Sequence, residues 1–168
     1  MKELFSSERL YFREFAIEDA EKLFLLNSDP EVIRYTGDAA FEDIKAAEVF
    51  IQAYDHYRLH GFGRWAVIRR SDDRFIGWCG LKFNEDDEID IGFRFFREEW
   101  GKGYAGEAAQ ATLHYADQGL KIARIVGRAM PENIASVKVL EKLGFVFQEK
   151  RACHGMAGAH YFIYQPKE

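Results

Sequence analysis

A strand-to-helix junction made of small residues constrains this chain more than any other stretch. Ile89 to Phe96 is an apolar run with the character of a strand, and Glu107 to Gln118 carries the apolar spacing of a helix. Between them lies Trp100-Gly101-Lys102-Gly103-Tyr104-Ala105-Gly106. Glycine, lacking a Cβ, accepts positive φ and lets a backbone come close to a ligand. The first amides of the following helix point outward beside a dipole equivalent to about +0.5 charge, which suits an anion. Gly101, Lys102, Gly103, Tyr104, Ala105 and Gly106 are therefore expected to cradle a phosphate or pyrophosphate. The simpler reading is a sharp turn that needs positive φ and nothing more.

Two familiar phosphate motifs fit less well. An NTPase loop requires Gly-Lys followed by Ser or Thr to hold magnesium, whereas Lys102 precedes Gly103 and Tyr104. A dinucleotide fingerprint belongs after the first strand of a parallel unit with an acidic residue beyond it. Gly101 and Gly103 match its start, but no second unit of that kind follows Gly106.

A second constellation lies downstream. Ile125 to Met130 reads as a strand, and Pro131-Glu132-Asn133-Ile134-Ala135-Ser136 opens a helix that ends at Lys142-Leu143-Gly144-Phe145. Asn133 suits a helix N-cap and Gly144 a left-handed helix stop. Taken together, Ile89-Asp90-Ile91-Gly92-Phe93, the glycine turn, and Asn133-x-x-Ser136 leading to Glu141-Lys142-Leu143-Gly144-Phe145 resemble the GNAT superfamily of acetyl-CoA-dependent N-acetyltransferases. The opening Leu10-Tyr11-Phe12-Arg13-Glu14-Phe15 with Asp19-Ala20, and Gly77-Trp78-Cys79-Gly80, are similar to the branch that acetylates ribosomal-protein N-termini. The resemblance covers nearly the whole chain, which is accordingly expected to form one acetyltransferase domain over residues 1–168.

The rest of the sequence agrees with a compact enzyme. A length of 168 residues suffices to bury a sizeable core. Hydrophobic residues at 48% and aromatics at 15% argue against disorder. With 23 basic and 28 acidic residues the net charge is −5, which leaves no electrostatic footprint for nucleic acid. The acidic balance suits a cationic acceptor. Cys79 and Cys153 form neither a metal-ligand spacing nor a disulfide framework, so buried reduced thiols are expected. Lys2, Glu3, Glu8 and Arg9 exclude a secretory apolar region, and no run approaches the ~20 apolar residues that cross a bilayer. A cytoplasmic enzyme without a membrane partner is the expectation, and the family implies a possible homodimer.

The layout reads as α/β, a mixed and mostly antiparallel central sheet with flanking helices. Strands are expected at Leu10–Arg13, Trp65–Arg69, Phe75–Phe83, Glu88–Phe95, Ile125–Met130, and near Phe145–Arg151 and His160–Tyr164. Helices are expected at Ile17–Asn27, briefly after Pro30, over Phe41–Leu59 with Ile44, Ala47, Ile51 and Tyr54 on one face, and at Glu107–Gln118 and Ile134–Leu143. Gly61 and Gly63 stop the Phe41 helix. The resemblance implies that the fourth and fifth of these strands splay apart to admit the pantetheine arm of the cosubstrate.

It also implies a division of labour. Backbone groups of Phe93, Arg94 and Phe95 would bind pantetheine, and amides from Gly101 to Gly106 would take the pyrophosphate, with Asn133 beside the cofactor; Lys102 reads either as a point charge near a phosphate or as an exposed solubilising lysine. Trp100 stands where the family often has Gln or Arg and reads as a packing residue. Leu140 stands where many members have the tyrosine that protonates the thiolate, so Ser136 is the candidate acid, directly or through water. Asp90 is the candidate base, with Glu88 two residues earlier on the same strand face, although either carboxylate alone also reads as solvent-facing. Glu107 reads as an internal hydrogen-bonding group at the helix start. His56 and His60 lie four apart, but no third ligand accompanies them, so surface histidines and no metal are expected. Tyr35 to Phe41 and a loop from Cys153 to His160 would border the acceptor, either a protein N-terminal α-amine or a small amine. A CoA-binding module without chemistry and a nucleotide-dependent phosphotransferase are the other readings.

Overall fold

Near-continuous apolar runs such as Trp65 to Ile68, buried at every position, produce a sheet with a core on both faces. The computed structural model describes residues 1–153 and 155–165. In chain order the strands are β1 (Phe5–Ser6), β2 (Leu10–Arg13), β3 (Arg64–Arg69), β4 (Arg74–Phe83), β5 (Ile89–Phe95), β6 (Val126–Ala129), β7 (Phe145–Cys153) and β8 (Met156–Tyr164). They form one sheet in the order β1-β2-β3-β4-β5-β6-β8-β7. All pairings are antiparallel except β5 with β6. The helices are α1 (Ala20–Ser28), α2 (Pro30–Ile33), α3 (Ile44–Ala53), α4 (His56–His60), α5 (Tyr104–Gln118) and α6 (Ile134–Leu143). The mixed α/β architecture is the one expected from the sequence.

One face of the sheet packs Phe12, Trp65, Val67, Leu81 and Ile91 against Ala108, Ala109, Leu113 and Ala116 of α5 and Leu140 of α6. Alanines on α5 let the helix approach closely, and Thr112 meets Cys79 with its hydroxyl 3.4 Å from the thiol. Burial pushes the Cys79 thiol up to about 12, so it stays protonated. The other face packs Ala66, Ile68 and Phe75 against Ala20, Leu23 and Ala47 of α1 and α3. Arg13 and Asp19 form a buried bidentate pair at 2.8 and 2.9 Å, and Asp19 also accepts the Ala16 amide, which fixes the entry to α1.

Strand β1 was not expected, Ile17–Asp19 forms a 3-10 turn before α1, and α5 begins at Tyr104 rather than Glu107; two further departures are larger. The single helix over Phe41–Leu59 is instead α3 and α4, capped at its start by Asp43 accepting the Ala46 amide at 2.7 Å and broken at Tyr54–Asp55. Tyr54 accepts the Arg64 amide at 2.8 Å, while Tyr57 donates to the Arg64 carbonyl and accepts the Phe15 amide at 3.2 Å. The tyrosines on either side of the break thus hold one residue of β3 between them. Of the loop expected from Cys153 to His160, His154 lies outside the described residues, and Met156 to His160 belong to β8, with Cys153 paired to Met156 and Gly155 at φ 75°.

Candidate functional site

Strand β5 pairs with β6 only at Asp90/Val126 and Ile91/Gly127, yet β5 runs on to Phe95. These are the fourth and fifth strands counted from Leu10, and beyond Ile91 they separate. Main-chain direction alternates along a strand. Phe96 donates to Ile76 of β4 at 3.1 Å, so Arg94 also faces β4, and Phe93 and Phe95 turn their main chains to the gap. The Phe95 carbonyl accepts the Trp100 indole N–H at 3.0 Å. Trp100 therefore pins the end of β5 while remaining about half exposed, rather than acting as a packed residue.

From that end the chain makes a short 3-10 turn at Arg97–Glu99 and enters the glycine turn. Gly101 and Gly103 have φ of 76° and 81°, a region that side-chain-bearing residues rarely adopt. A Cβ on Gly101 or Gly106 would meet nothing within 4 Å, so the outer side of the turn is open. The first helical bond belongs to Glu107, whose amide reaches the Gly103 carbonyl at 3.1 Å, and Gly103 provides no side-chain cap. The amides of Tyr104, Ala105 and Gly106 precede that bond and point outward, as a helix start dictates.

The charges around the turn differ from the simplest expectation. The Lys102 ammonium reaches back to Glu99 at 3.1 Å, a carboxylate that also accepts from Arg69 at 2.8 Å. The cation against the turn is Arg9, whose guanidinium donates to the Lys102 carbonyl at 3.0 Å and lies 4.4 Å over the Tyr104 ring. Nothing in local spacing marks Arg9; only the docking of the segment before β2 on α5 places it there. Glu107 is not a local helix-start group. It accepts from the Ser7 hydroxyl and the Arg9 amide, both at 2.8 Å, and from Arg9 Nε at 2.7 Å, and so ties the N-terminal segment to α5. Burial alone would raise its carboxyl, but these bonds hold it below the ordinary range.

A cavity of about 480 Å³ opens at the gap. It brings together Asp90, Phe93, Arg94, Asn133 and Ser136 of the expected residues, with Leu140 one turn beyond Ser136. Phe95, Gly101, Lys102, Gly103, Tyr104, Ala105 and Gly106 do not line it; the Tyr104 side chain lies in the core. Tyr35 and Phe41 border the cavity, and of the Cys153–His160 segment Cys153 does. Asn133 caps α6, its Oδ1 accepting the Ser136 amide at 3.4 Å. The Ser136 main chain is thus engaged by the cap, independently of its hydroxyl.

The two carboxylates are held by cations. Asp90 is buried between Arg64 Nη2 at 3.0 Å and Arg128 Nη2 at 2.7 Å. Glu88 stands outside the cavity and accepts from the Tyr161 hydroxyl, from Arg124 at 3.1 Å and from Arg151 at 3.2 Å. Burial would raise the Glu88 carboxyl, but Tyr161, Arg124 and Arg151 together bring it below its ordinary value. Neither carboxylate is solvent-facing. Arg94 spans the wall, donating to Asn27 at 2.8 Å and Asp38 at 2.7 Å, and like Arg64 it lies 5.1 Å from the Trp78 ring. Arg64 was not identifiable from spacing. The one signal for it was Gly92, opposite Gly80 on the adjacent strand, where the missing Cβ leaves room for a long side chain.

His56 is half-buried rather than a surface group. Its Nδ1 lies 2.8 Å from the Phe62 carbonyl and its Nε2 accepts the Phe83 amide at 3.2 Å, so one nitrogen donates and the other accepts. That is a neutral imidazole, and burial lowers its pKa accordingly. Among the described residues no three His, Cys, Asp or Glu side chains cluster as metal ligands, and no helix is long and apolar enough to cross a membrane.

Comparison with known proteins agrees with this geometry. The acetyltransferase (GNAT) domain family matches residues 9–146. The N-acetyltransferase p20 of Bacillus licheniformis is 37% identical over 142 residues, covering 83% of this chain and 80% of that protein. A GNAT-family acetyltransferase structure from Bacillus anthracis superposes with a TM-score of 0.78 at 29% identity, covering 95% of each chain. The ribosomal-protein-S5-alanine acetyltransferase structure from Vibrio fischeri shares the fold, with a TM-score of 0.77 at 19% identity over 95% of this chain and 93% of that one. The chain belongs to the GNAT family of acetyl-CoA-dependent N-acetyltransferases.

Proposed function

We propose that this enzyme transfers an acetyl group from acetyl-CoA to a primary amine by direct attack, without a covalent acyl-enzyme. The observation that carries this reading is the register of β5, which leaves β6 after two residue pairs, turns the Phe93 main chain to the gap, and leads into an open glycine turn. Phe93 would bond the pantetheine arm as another strand would, beside Arg94 and Phe95. Because Trp100 already uses the Phe95 carbonyl, Phe93 is the principal partner. Amides from Gly101 to Gly106, with Arg9 nearby, would hold the diphosphate. Bound in this way, acetyl-CoA supplies an activated acyl group and a thiolate leaving group.

The protein's own task is placement and proton management. Well-oriented reactants reach effective molarities of roughly 10⁵–10⁸ M, so holding amine and thioester together supplies much of the rate. A main-chain N–H on β5 would polarise the thioester carbonyl. Ser136 would hydrogen-bond to the departing sulfur and relay to it a proton that water restores to the hydroxyl, while the proton lost by the attacking amine passes to solvent; the Leu140 side chain has no proton to give. Asp90 is held by two guanidinium groups, one on each oxygen, and we assign it to orienting the amine through the remaining lone pairs of those oxygens.

Without a strong base the acceptor must shed its proton readily. An unperturbed α-amine titrates near about 7.7–8.0 against about 10.4 for lysine, a difference of about 3–4 kcal/mol in deprotonation cost. A protein N-terminus or a small amine of low basicity follows. The test is release of free CoA thiol with panels of α-amines, ε-amines and small amines, alongside calorimetry with acetyl-CoA, CoA and ATP. Inactivity across all panels despite tight CoA binding would instead identify a CoA-binding module, the reading favoured by Leu140 and by the paired state of Asp90. Magnesium-dependent ATP binding that displaces acetyl-CoA would overturn both.

A further inference from the structure

We propose that the acceptor amine also carries an anionic group, a carboxylate or phosphate, received by Lys82 inside the cavity; this rests on the acetyl-transfer reading above. The register places Lys82 of β4 directly across from Asp90 of β5, on the same face of the sheet. Opposite charges so placed ordinarily pair. Here they do not: Arg64 bonds one Asp90 oxygen and Arg128 the other. Arg64 reaches that position over glycine, since a Cβ on Gly92 would stand 2.6 Å from its Nη2.

The cavity wall is left with one cation in excess. Arg64 and Arg128 share Asp90, Arg128 also meets Glu85, and Arg94 meets Asp38. Lys82 lines the same cavity with its side chain partly buried, and among the described residues it has neither an ion pair nor a hydrogen bond. Burial and the charge of Arg64 push its ammonium pKa down, the signature of a cation short of a counter-ion. A second observation points the same way. The Nε groups of Arg94 and Arg128 are buried and without an acceptor, on side chains only 8% and 4% exposed. Buried donors and charges are costly unless paired, so a partner arriving with the ligand offsets that cost.

The ligand in question is the acceptor rather than the diphosphate of CoA. The glycine turn lies outside the cavity wall, whereas Tyr35, Asp38 and Phe41 line the cavity together with Lys82 and Asp90. A polyamine brings only further positive charge to this wall. Likeness to a spermidine N-acetyltransferase chimera structure from Vibrio cholerae, at 20% identity and a TM-score of 0.76, extends to the fold alone. An amine tethered to an anion fits, with the anion at Lys82 and the amine directed to Asp90.

The experiment compares matched amines by calorimetry, with and without CoA, and by thiol release with acetyl-CoA. The pairs are L-methionine against L-methioninamide and O-phosphoethanolamine against ethanolamine. A peptide beginning Ser-Glu against one beginning Ser-Gln distinguishes a protein N-terminus from a free metabolite, and spermidine is the cationic control. A charge-assisted contact predicts a preference of about 10- to 100-fold for the anionic member of at least one pair. Lys82→Met should abolish that preference, Lys82→Arg should retain it, and CoA affinity serves as the internal control. Equal binding within every pair, a preference for spermidine, no binding of any anionic amine, or a Lys82→Met loss that falls equally on CoA would each overturn the proposal. Acetyl transfer to neutral amines without discrimination would defeat this inference alone. Binding of anionic amines by a protein that neither binds acetyl-CoA nor releases thiol would defeat the acetyl-transfer reading instead.

Discussion

The guanidinium of Arg64 lies across Gly92, close enough that a Cβ there would stand 2.6 Å from Nη2 and 2.7 Å from Cζ. Gly92 is needed for space, not for an unusual φ. Gly92→Ala should push Arg64 away from Asp90 and from the Gly80 carbonyl, which it now meets at 3.0 and 2.6 Å. The displaced atoms belong to the end of a flexible side chain, so the protein should fold with a loss of about 1–3 kcal/mol, the scale of charged hydrogen bonds. In an Arg64→Met background the same substitution should cost less, because the clash and the bonds are already gone. Urea unfolding of the double-mutant cycle reads the coupling, and additivity within about 0.5 kcal/mol would refute the relationship.

Glu107 fastens the segment before β2 to α5 through three hydrogen bonds. Its folded carboxyl is depressed, since the bonds from Arg9 and Ser7 outweigh the effect of burial. A depressed acid contributes its stability above its unfolded pKa and loses it as pH falls through the folded value. Glu107→Gln should therefore cost about 1–2 kcal/mol at neutral pH. The gap from wild type should close progressively as pH falls from the ordinary glutamate range through the depressed folded value. Parallel stability curves across that range would count against it.

What the sequence exposed and what it hid divide along the range of the interactions. The glycine turn, Asn133 capping α6 and Gly144 ending it with φ of 99° are local, and each was legible from a few consecutive residues. The break at Tyr54–Asp55 was not, because no glycine or proline marks it and the partners of its tyrosines, Arg64 and Phe15, lie outside the segment. The same holds for the cavity wall. Asp90 was identifiable as a strand carboxylate, but its partners lie 26 and 38 residues away on two other strands. Only pairing register reveals that Arg64 and Arg128 hold it and leave Lys82 unpaired. Arg9 was hidden likewise, its position set by contacts to Lys102 and Glu107 almost a hundred residues on.

Gly103 combines φ of 81° with a place at the start of α5. Replacement by valine imposes a strained backbone, at roughly 1–3 kcal/mol, and its side chain would crowd Arg9, whose Nη2 lies 3.4 Å from where a Cβ would stand. Both effects reorient the amides of Tyr104 to Gly106. Calorimetry should show CoA affinity falling at least about 10-fold, since each 1.4 kcal/mol of lost contact is a factor of ten, while dephosphorylated pantetheine, which lacks the diphosphate, should bind as to wild type. Wild-type CoA affinity in a folded Gly103→Val protein would remove the turn from the binding site.

Ser136 permits a separation of chemistry from folding. Its amide, not its hydroxyl, is what Asn133 caps, so Ser136→Ala keeps the helix start intact. The hydroxyl is proposed to deliver a proton to the departing sulfur, and the need for that proton depends on pH. A thiol has an ordinary pKa near 8.5, so below that value the product must be protonated and above it the thiolate departs unaided. Turnover of Ser136→Ala should accordingly fall by about 10-fold or more at neutral pH, at the low end of general-acid contributions because a thiolate is a good leaving group. The deficit should shrink as pH rises past the thiol value, with CoA affinity unchanged throughout. A folded variant with wild-type turnover at neutral pH, or a deficit that is flat with pH, would transfer the proton donation to water and leave Ser136 as a lining residue of the cavity.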